Sequence, residues 1–251
     1  MTPPLFWIDE VPPVGGLAEL VGTEGHHAVT VTRIAAGDRI MLGDGAGTVA
    51  TCEVTATLSK DRLRATVVER RTHDRPRPTV TVVQAVPKSD RSELAVELAT
   101  EAGADRIVAW QSARCVTRWV GPREEKGLRK WRSAAATAAK QSRRAYVPLV
   151  EGLASTASVR LLITDVIERG GVVAVLHEDG RESLADLPLR DATEVLLVVG
   201  PEGGVDPGEI DDFGALGARP VVLGPEVLRT STAAAVALGA IGALTSRWAV
   251  R

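Results

Sequence analysis

One segment of the chain states the same plan twice, and that repetition limits the folds open to it. Residues 194–199, EVLLVV, run into Gly200-Pro201-Glu202, and residues 219–223, RPVVL, run into Gly224-Pro225-Glu226. A short run of Val and Leu stopped by Gly-Pro reads as a buried strand ending in a sharp turn. The first turn leads into DPGEIDDF, which offers Asp206 as N-cap, Pro207 at the first helical position and Glu209 three residues after the cap. The second leads into a long Ala-rich helix. Two buried strands with glycine turns at their carboxyl ends form the lip of a ligand pocket in an open α/β sheet.

The remainder of the chain divides at a proline-rich break. Residues 1–72 read as all-β: LFWI is a short strand, and RIMLGDGAGTVATCEVTAT is a strand, a Gly-Asp-Gly turn and an alternating strand. RLRATVVERR is a third, with Leu63, Ala65 and Val67 on one side. The intervening HHAVTVTRIAAGD predicts a helix ending at Gly37. Several short strands with glycine turns predict a small barrel. Residues 73–79, with two prolines among charges, read as a linker. From residue 80 to 251 strands alternate with helices, which predicts a parallel sheet covered on both faces. There, residues 89–102 form an amphipathic helix with Leu94, Leu98 and Ala102 on one side, and residues 123–144 a helix crowded with bases.

The formal net charge of -2 hides an asymmetry. Between Arg106 and Arg144 there are eleven Lys or Arg against Glu124 and Glu125, whereas from Ala145 onward eight bases face fifteen acids. A basic face on an acidic body points to phosphate. Cys52 and Cys115 are far apart, without metal-ligand spacing, and imply a reducing compartment. No apolar run is long enough for a signal peptide or a membrane span. The expectation is a soluble cytoplasmic protein that binds no metal.

The glycine turns exclude the common nucleotide motifs. GPEGG lacks the GxGxxG spacing, and no Lys-Ser or Lys-Thr follows as in a P-loop. A lone Gly-Pro ends many loops, but two in the same setting argue for a shared site. Proline fixes φ and removes one N–H, leaving neighbouring amides and carbonyls to read a flat heterocycle edge.

At this point the residues carry a resemblance. VVGPEGGVDPGEID followed by VVLGPEVLRTSTAAAVAL resembles the carboxyl-terminal signature of the RsmE family, within the SPOUT class of methyltransferases. PKSDRSELAVELATEAGADRI, RKWRSAAATAAKQSRRAYVP and GHHAVTVTRIAAGDRIMLGDGAG resemble three further segments of that family, so the similarity spans nearly the whole chain. It implies an S-adenosylmethionine-dependent enzyme that methylates N3 of a uridine in 16S rRNA of the small ribosomal subunit. It also implies a PUA-like β-barrel ahead of a SPOUT domain with a C-terminal trefoil knot, and a homodimer. A SPOUT enzyme acting on another position such as a ribose 2′-OH, or a non-catalytic RNA-binding protein of the same fold, are the alternatives.

Under this resemblance the cofactor set is Leu176, Val199, Gly200, Gly203, Leu223, Gly224, Pro225, Leu228, Thr230 and Ala233. The two strand-end turns would read adenine through their backbone, and Leu223 and Leu228 would supply an apolar wall. Uracil N3 carries a proton and is a poor nucleophile until it leaves, so the site needs a base and donors for the charge that develops on O2 and O4. Arg229 is the expected cation; at a helix start it opposes the dipole, which argues for a purpose. Glu202 would hold the sulfonium side or act as base, and Arg144 would reach the uridine, with the base itself unassigned. The RNA set is His26, His27, Arg33, Arg114, Lys130, Arg132, Gln141, Ser142, Arg143 and Arg144. Thr137, Ser231 and Leu5 depart from the family pattern, and the first two remove carboxylates from the presumed site.

Overall fold

The computed structural model describes residues 3–88 and 91–249. These fall into two compact units, and the division is not a single cut. Unit 1 holds residues up to Arg75 and takes back Ala139–Val147; unit 2 holds Pro76–Ala138 and Pro148–Arg251.

Unit 1 is a five-stranded sheet of β1 (Leu5–Trp7), β2 (Leu17–Leu20), β3 (Arg39–Gly43), β4 (Thr48–Ser59) and β5 (Arg62–Thr72), in the order β1-β3-β4-β5-β2. Every pair is antiparallel except β1 with β3. Alternation along β5 buries Leu63, Ala65 and Val67 against Phe6, Leu20, Ile40, Leu42 and Val54. Cys52 lies in this core, where burial pushes its thiol up to about 11. The helix expected to end at Gly37 instead begins earlier: α1 is Gly22–His26, continued by a π-turn over His27–Val31. Arg33 then takes a positive φ of 59° and stops it. Gly37 is used in a separate turn, its N–H donating to the Val54 carbonyl at 2.8 Å.

Residues 139–147 return to the β3–β4 turn. Ala46 and Tyr146 form a bridge, and the Tyr146 hydroxyl donates to the His73 carbonyl at 2.5 Å. Gly47 admits this approach: a Cβ there would stand 2.4 Å from the Tyr146 hydroxyl oxygen, and its φ of 116° suits only glycine. Lys140 pairs with Glu24 at 2.7 Å.

Unit 2 is a seven-stranded, wholly parallel sheet, as the alternating pattern predicts. Its strands are β6 (Thr79–Ala85), β7 (Arg106–Trp110), β8 (Leu149–Ala154), β9 (Val172–Leu176), β10 (Glu182–Ser183), β11 (Glu194–Val199) and β12 (Arg219–Val222), ordered β10-β12-β9-β11-β6-β7-β8. Both faces are apolar because both are covered. Val80, Val82, Val195 and Leu197 pack with α2 (Ser92–Glu101), α3 (Pro122–Gln141) and α6 (Thr230–Leu244). Val83, Leu196 and Val198 pack with α4 (Thr156–Glu168) and α5 (Pro207–Ala215).

Two expectations about the helices change. The start assigned at Ser89 lies outside the described residues, among which α2 runs from Ser92. Its buried face is Ala95, Val96, Ala99 and Thr100, while Leu94 is 41% exposed, because α2 packs closely on the Ala-rich α6 and small side chains make that approach. The basic helix ends at Gln141, not Arg144, with Arg143 at a φ of 56°. At α5 the expectation holds in detail: Asp206 accepts from the first turn, Glu209 reaches back to the Asp206 N–H, and Pro207 opens the helix. Among the described residues no helix is long and apolar enough to cross a membrane.

Candidate functional site

The sheet order sets β12, β9 and β11 side by side, so their carboxyl ends open at one place. A cavity of about 490 Å³ lies there, within the roughly 300–1,000 Å³ usual for small-molecule sites. Leu176 comes from β9, Val199 to Gly204 from β11 and the first Gly-Pro turn, Val221 to Gly224 from β12, and Leu228 to Thr230 with Ala233 from the start of α6. All of the expected cofactor residues line it except Pro225, which sits in the second turn without facing the cavity. Glu202 and Arg229 line it as well.

The first turn is built tightly. A Cβ on Gly200 would meet Val205 Cγ2 at 2.8 Å and Val205 N at 2.9 Å, so only glycine allows the chain to fold back there. The Glu202 carboxylate accepts the Lys88 backbone N–H at 3.0 Å through one oxygen. The Thr230 hydroxyl donates to the Gly200 carbonyl at 2.6 Å. Its single hydrogen therefore faces the protein rather than a ligand. Arg229 is exposed and forms no ion pair among the described residues, and it caps α6 without a side-chain hydrogen bond. Ser231 is 1% exposed, and its hydroxyl is among the buried polar atoms that lack a partner.

Sequence reading missed Arg91, His177, Glu178, Val205, Glu226 and Val227, which also line the cavity. The rule that pockets open past strand carboxyl ends could have found His177 and Glu178, which follow β9 directly. His177 Nδ1 accepts the Asp179 N–H at 3.1 Å, so a neutral ring carries its hydrogen on Nε2.

The RNA candidates divide between the units. His26, His27, Arg33, Gln141, Ser142, Arg143 and Arg144 belong to unit 1; Arg114, Lys130 and Arg132 belong to unit 2. His26 and His27 are exposed, and His27 stands edge-on to Phe6 with ring centroids 5.7 Å apart. At the end of α3, Gln141 is exposed, the Ser142 hydroxyl donates to the Ala139 carbonyl at 3.4 Å, and the Arg144 N–H donates to the same carbonyl at 2.9 Å. Arg33 and Arg143 are the two non-glycine residues with positive φ among the described residues. In unit 2, Arg114 is engaged by Asp206 and the Gly203 carbonyl, both at 3.2 Å. Lys130 pairs with Glu93 at 2.8 Å, and Arg132 Nε donates to the Val150 carbonyl at 3.4 Å. Of the residues that depart from the family pattern, Thr137 is exposed on α3 and Leu5 is buried in β1.

This geometry meets its relatives in three comparisons. An RNA methyltransferase domain model matches residues 74–242, and an RNA methyltransferase PUA domain model matches residues 20–68. The ribosomal RNA small subunit methyltransferase E of Mycobacterium bovis is 52% identical over 244 residues, covering 97% of this chain and 93% of that protein. The chain belongs to the ribosomal RNA small subunit methyltransferase E family. The Bacillus subtilis member is 31% identical over 229 residues, covering 88% of each chain. The solved Neisseria gonorrhoeae member, bound to S-adenosyl methionine, matches at a TM-score of 0.86 and 26% identity, covering 97% of this chain and 98% of that one. Membership makes the chain an RNA methyltransferase whose fold is a parallel α/β unit with a PUA domain toward its amino terminus.

Proposed function

We propose that the chain uses S-adenosylmethionine to methylate N3 of one uridine in the 16S rRNA of the small ribosomal subunit. The observation that carries this reading is the cavity made jointly by the two Gly-Pro turns, with Arg229, which forms no ion pair among the described residues, at its edge. The size and lining fit the cofactor: apolar walls from Leu176, Leu223 and Leu228, backbone from both turns, and charged groups at the rim. When bound, the cofactor supplies a methyl group on a positively charged sulfur. The S-adenosyl methionine bound by the Neisseria gonorrhoeae relative supports that choice.

The chain's own task is to align the acceptor and manage its proton. Arg229 would stabilise the negative charge that spreads onto O2 and O4 of uracil as N3 loses its hydrogen. Glu202 has one oxygen held by Lys88 N–H and the other free of that bond, so it can face the positive sulfur or take the proton. His177 is oriented as a donor rather than a base, since its Nδ1 is already occupied. Recognition of RNA falls to the exposed Arg33 and Arg143, with the half-buried Arg144 next to Arg143 in the chain. Positive φ at Arg33 and Arg143 supports a role, because such strained positions concentrate at functional sites. A homodimer belongs to the same reading; it would cover the exposed Leu94 of α2 and Val236 of α6. Residues 1–72 and 80–251 are the proposed domains, with 73–79 between them.

The test is nucleoside mass spectrometry of small-subunit particles that lack the modification, incubated with purified protein and cofactor. The expected product is 3-methyluridine. A methyl group on ribose would move the assignment to a 2′-OH enzyme, and binding of RNA without cofactor binding would leave a non-catalytic protein.

A further inference from the structure

Beneath the cavity lies a buried amide that is not among the lining residues. Gln84 is 1% exposed near the end of β6, where it pairs in register with Val199, the last residue before the first turn. Its Nε2 donates to Thr230 Oγ1 at 3.0 Å and to the Ala85 carbonyl at 3.1 Å. Thr230 Oγ1 in turn donates to the Gly200 carbonyl at 2.6 Å. The direction of this chain is forced. A threonine hydroxyl has one hydrogen, and here it is spent on a carbonyl that can only accept. The group facing Thr230 must therefore donate, and so must the group facing Ala85 O. Gln84 consequently turns its NH₂ to both, and its Oε1 is left buried without a partner among the described residues.

An apolar residue of similar volume would fill this place without an orphaned carbonyl oxygen. What the amide provides in exchange is a fixed hydroxyl direction. We propose that Gln84 is a positioning residue of the cofactor pocket: it holds the Thr230 hydroxyl on the Gly200 carbonyl and so sets the spacing between the first Gly-Pro turn and the start of α6. A hydrogen bond from this hydroxyl joins the two halves of the pocket, thirty residues apart in sequence. The inference rests on the proposed cofactor reading for the identity of the ligand.

Calorimetric titration of S-adenosylmethionine into the full chain separates the two claims. Wild-type protein that binds no cofactor overturns the functional reading and this inference with it. Given wild-type binding, Gln84→Met is expected to bind about tenfold more weakly, which is about 1.4 kcal/mol, with kcat at saturating cofactor nearly unchanged. Gln84→Glu gives a sharper signature. An ionised carboxylate cannot donate, so it takes the Thr230 hydrogen and frees the Gly200 carbonyl; once protonated it can donate again. Its affinity relative to wild type should therefore recover as pH falls. Wild-type affinity in Gln84→Met, or a Gln84→Glu deficit that does not vary with pH, would overturn the proposal. If Gln84→Glu does not fold, Thr230→Val supplies the second arm. The double variant Gln84→Met/Thr230→Val should then lose no more than either single one, and additive losses would refute the relay.

Discussion

The two Gly-Pro-Glu turns share a sequence plan and differ in how they are held. The first is tied at four points. Gly200 takes the Thr230 hydroxyl, Glu202 takes the Lys88 N–H, Gly203 and Asp206 take Arg114, and the Gly204 N–H closes on the Pro201 carbonyl at 2.9 Å. Residues 224–228 make no side-chain hydrogen bond among the described residues, and Val227 is 75% exposed. The difference teaches that similar motifs need not do similar work. The first turn is braced by the chain's own groups, and the second has no such side-chain brace among the described residues.

The largest test of that contrast sets Arg229 against Arg114. Arg229 follows the open turn and has no side-chain partner among the described residues, so Arg229→Ala should lower kcat by about 10²–10³ and leave thermal stability as it was. Arg114 is spent on bracing the tied turn, so Arg114→Ala should lower the melting temperature by a few degrees at most, with a smaller fall in turnover. Full activity in Arg229→Ala would remove it from the mechanism, and a melting-temperature loss in place of a turnover loss would exchange the roles of the two arginines.

Next in size are the glycines. A Cβ on Gly200 collides with Val205, including its backbone N at 2.9 Å, whereas on Gly224 it meets only Glu226 Oε2 at 3.5 Å. Gly200→Ala should therefore cost about 1–3 kcal/mol of stability, and Gly224→Ala about 0.5 kcal/mol or less, as read from denaturant midpoints. Equal losses would mean that the second turn is as tightly built as the first. Amide hydrogen exchange extends the comparison to the bound state. Saturating cofactor should slow exchange more in residues 224–229 than in 200–204, and the reverse order would show that the tied turn is the one that moves.

How much of this was legible in the sequence follows from the range of each interaction. The Asp206–Glu209 capping box is local, and its spacing could be read directly. The buried strands could be read because a parallel sheet covered on both faces needs unbroken apolar runs. The inner face of α2 could not. Leu94, Leu98 and Ala102 lie at helical spacing, but so do Ala95 and Ala99, and only the small-residue packing on α6 decides between the two stripes. The short β2 and the helix α4, Thr156–Glu168, were also missed. β2 carries too few residues to show a period, whereas α4 did carry a start signal, Ser155, whose side chain accepts the Ser158 N–H as N-cap. Gln84 and Thr230 are 146 residues apart, so no spacing rule connects them; only the register of β6 on β11 does.

The smallest effect comes from a third turn, which asks whether tying by itself stabilises. At the tip of the β3–β4 hairpin, Asp44 Oδ1 accepts the N–H groups of Ala46 at 2.7 Å and Thr48 at 2.9 Å. Burial alone would push this carboxyl up, but the hydrogen bonds from Ala46 and Thr48 outweigh it and hold the carboxyl below the usual aspartate range. A folded-state value below the unfolded one means that the stabilisation is complete above about pH 4 and disappears as pH falls through the folded value. Asp44→Asn should therefore cost no more than about 1 kcal/mol near neutral pH, since the site is partly exposed and screened. That cost should shrink when melting is repeated at successively lower pH below 4. A cost that stays constant over this range would mean that the turn is held by its backbone shape and that the carboxylate charge adds nothing.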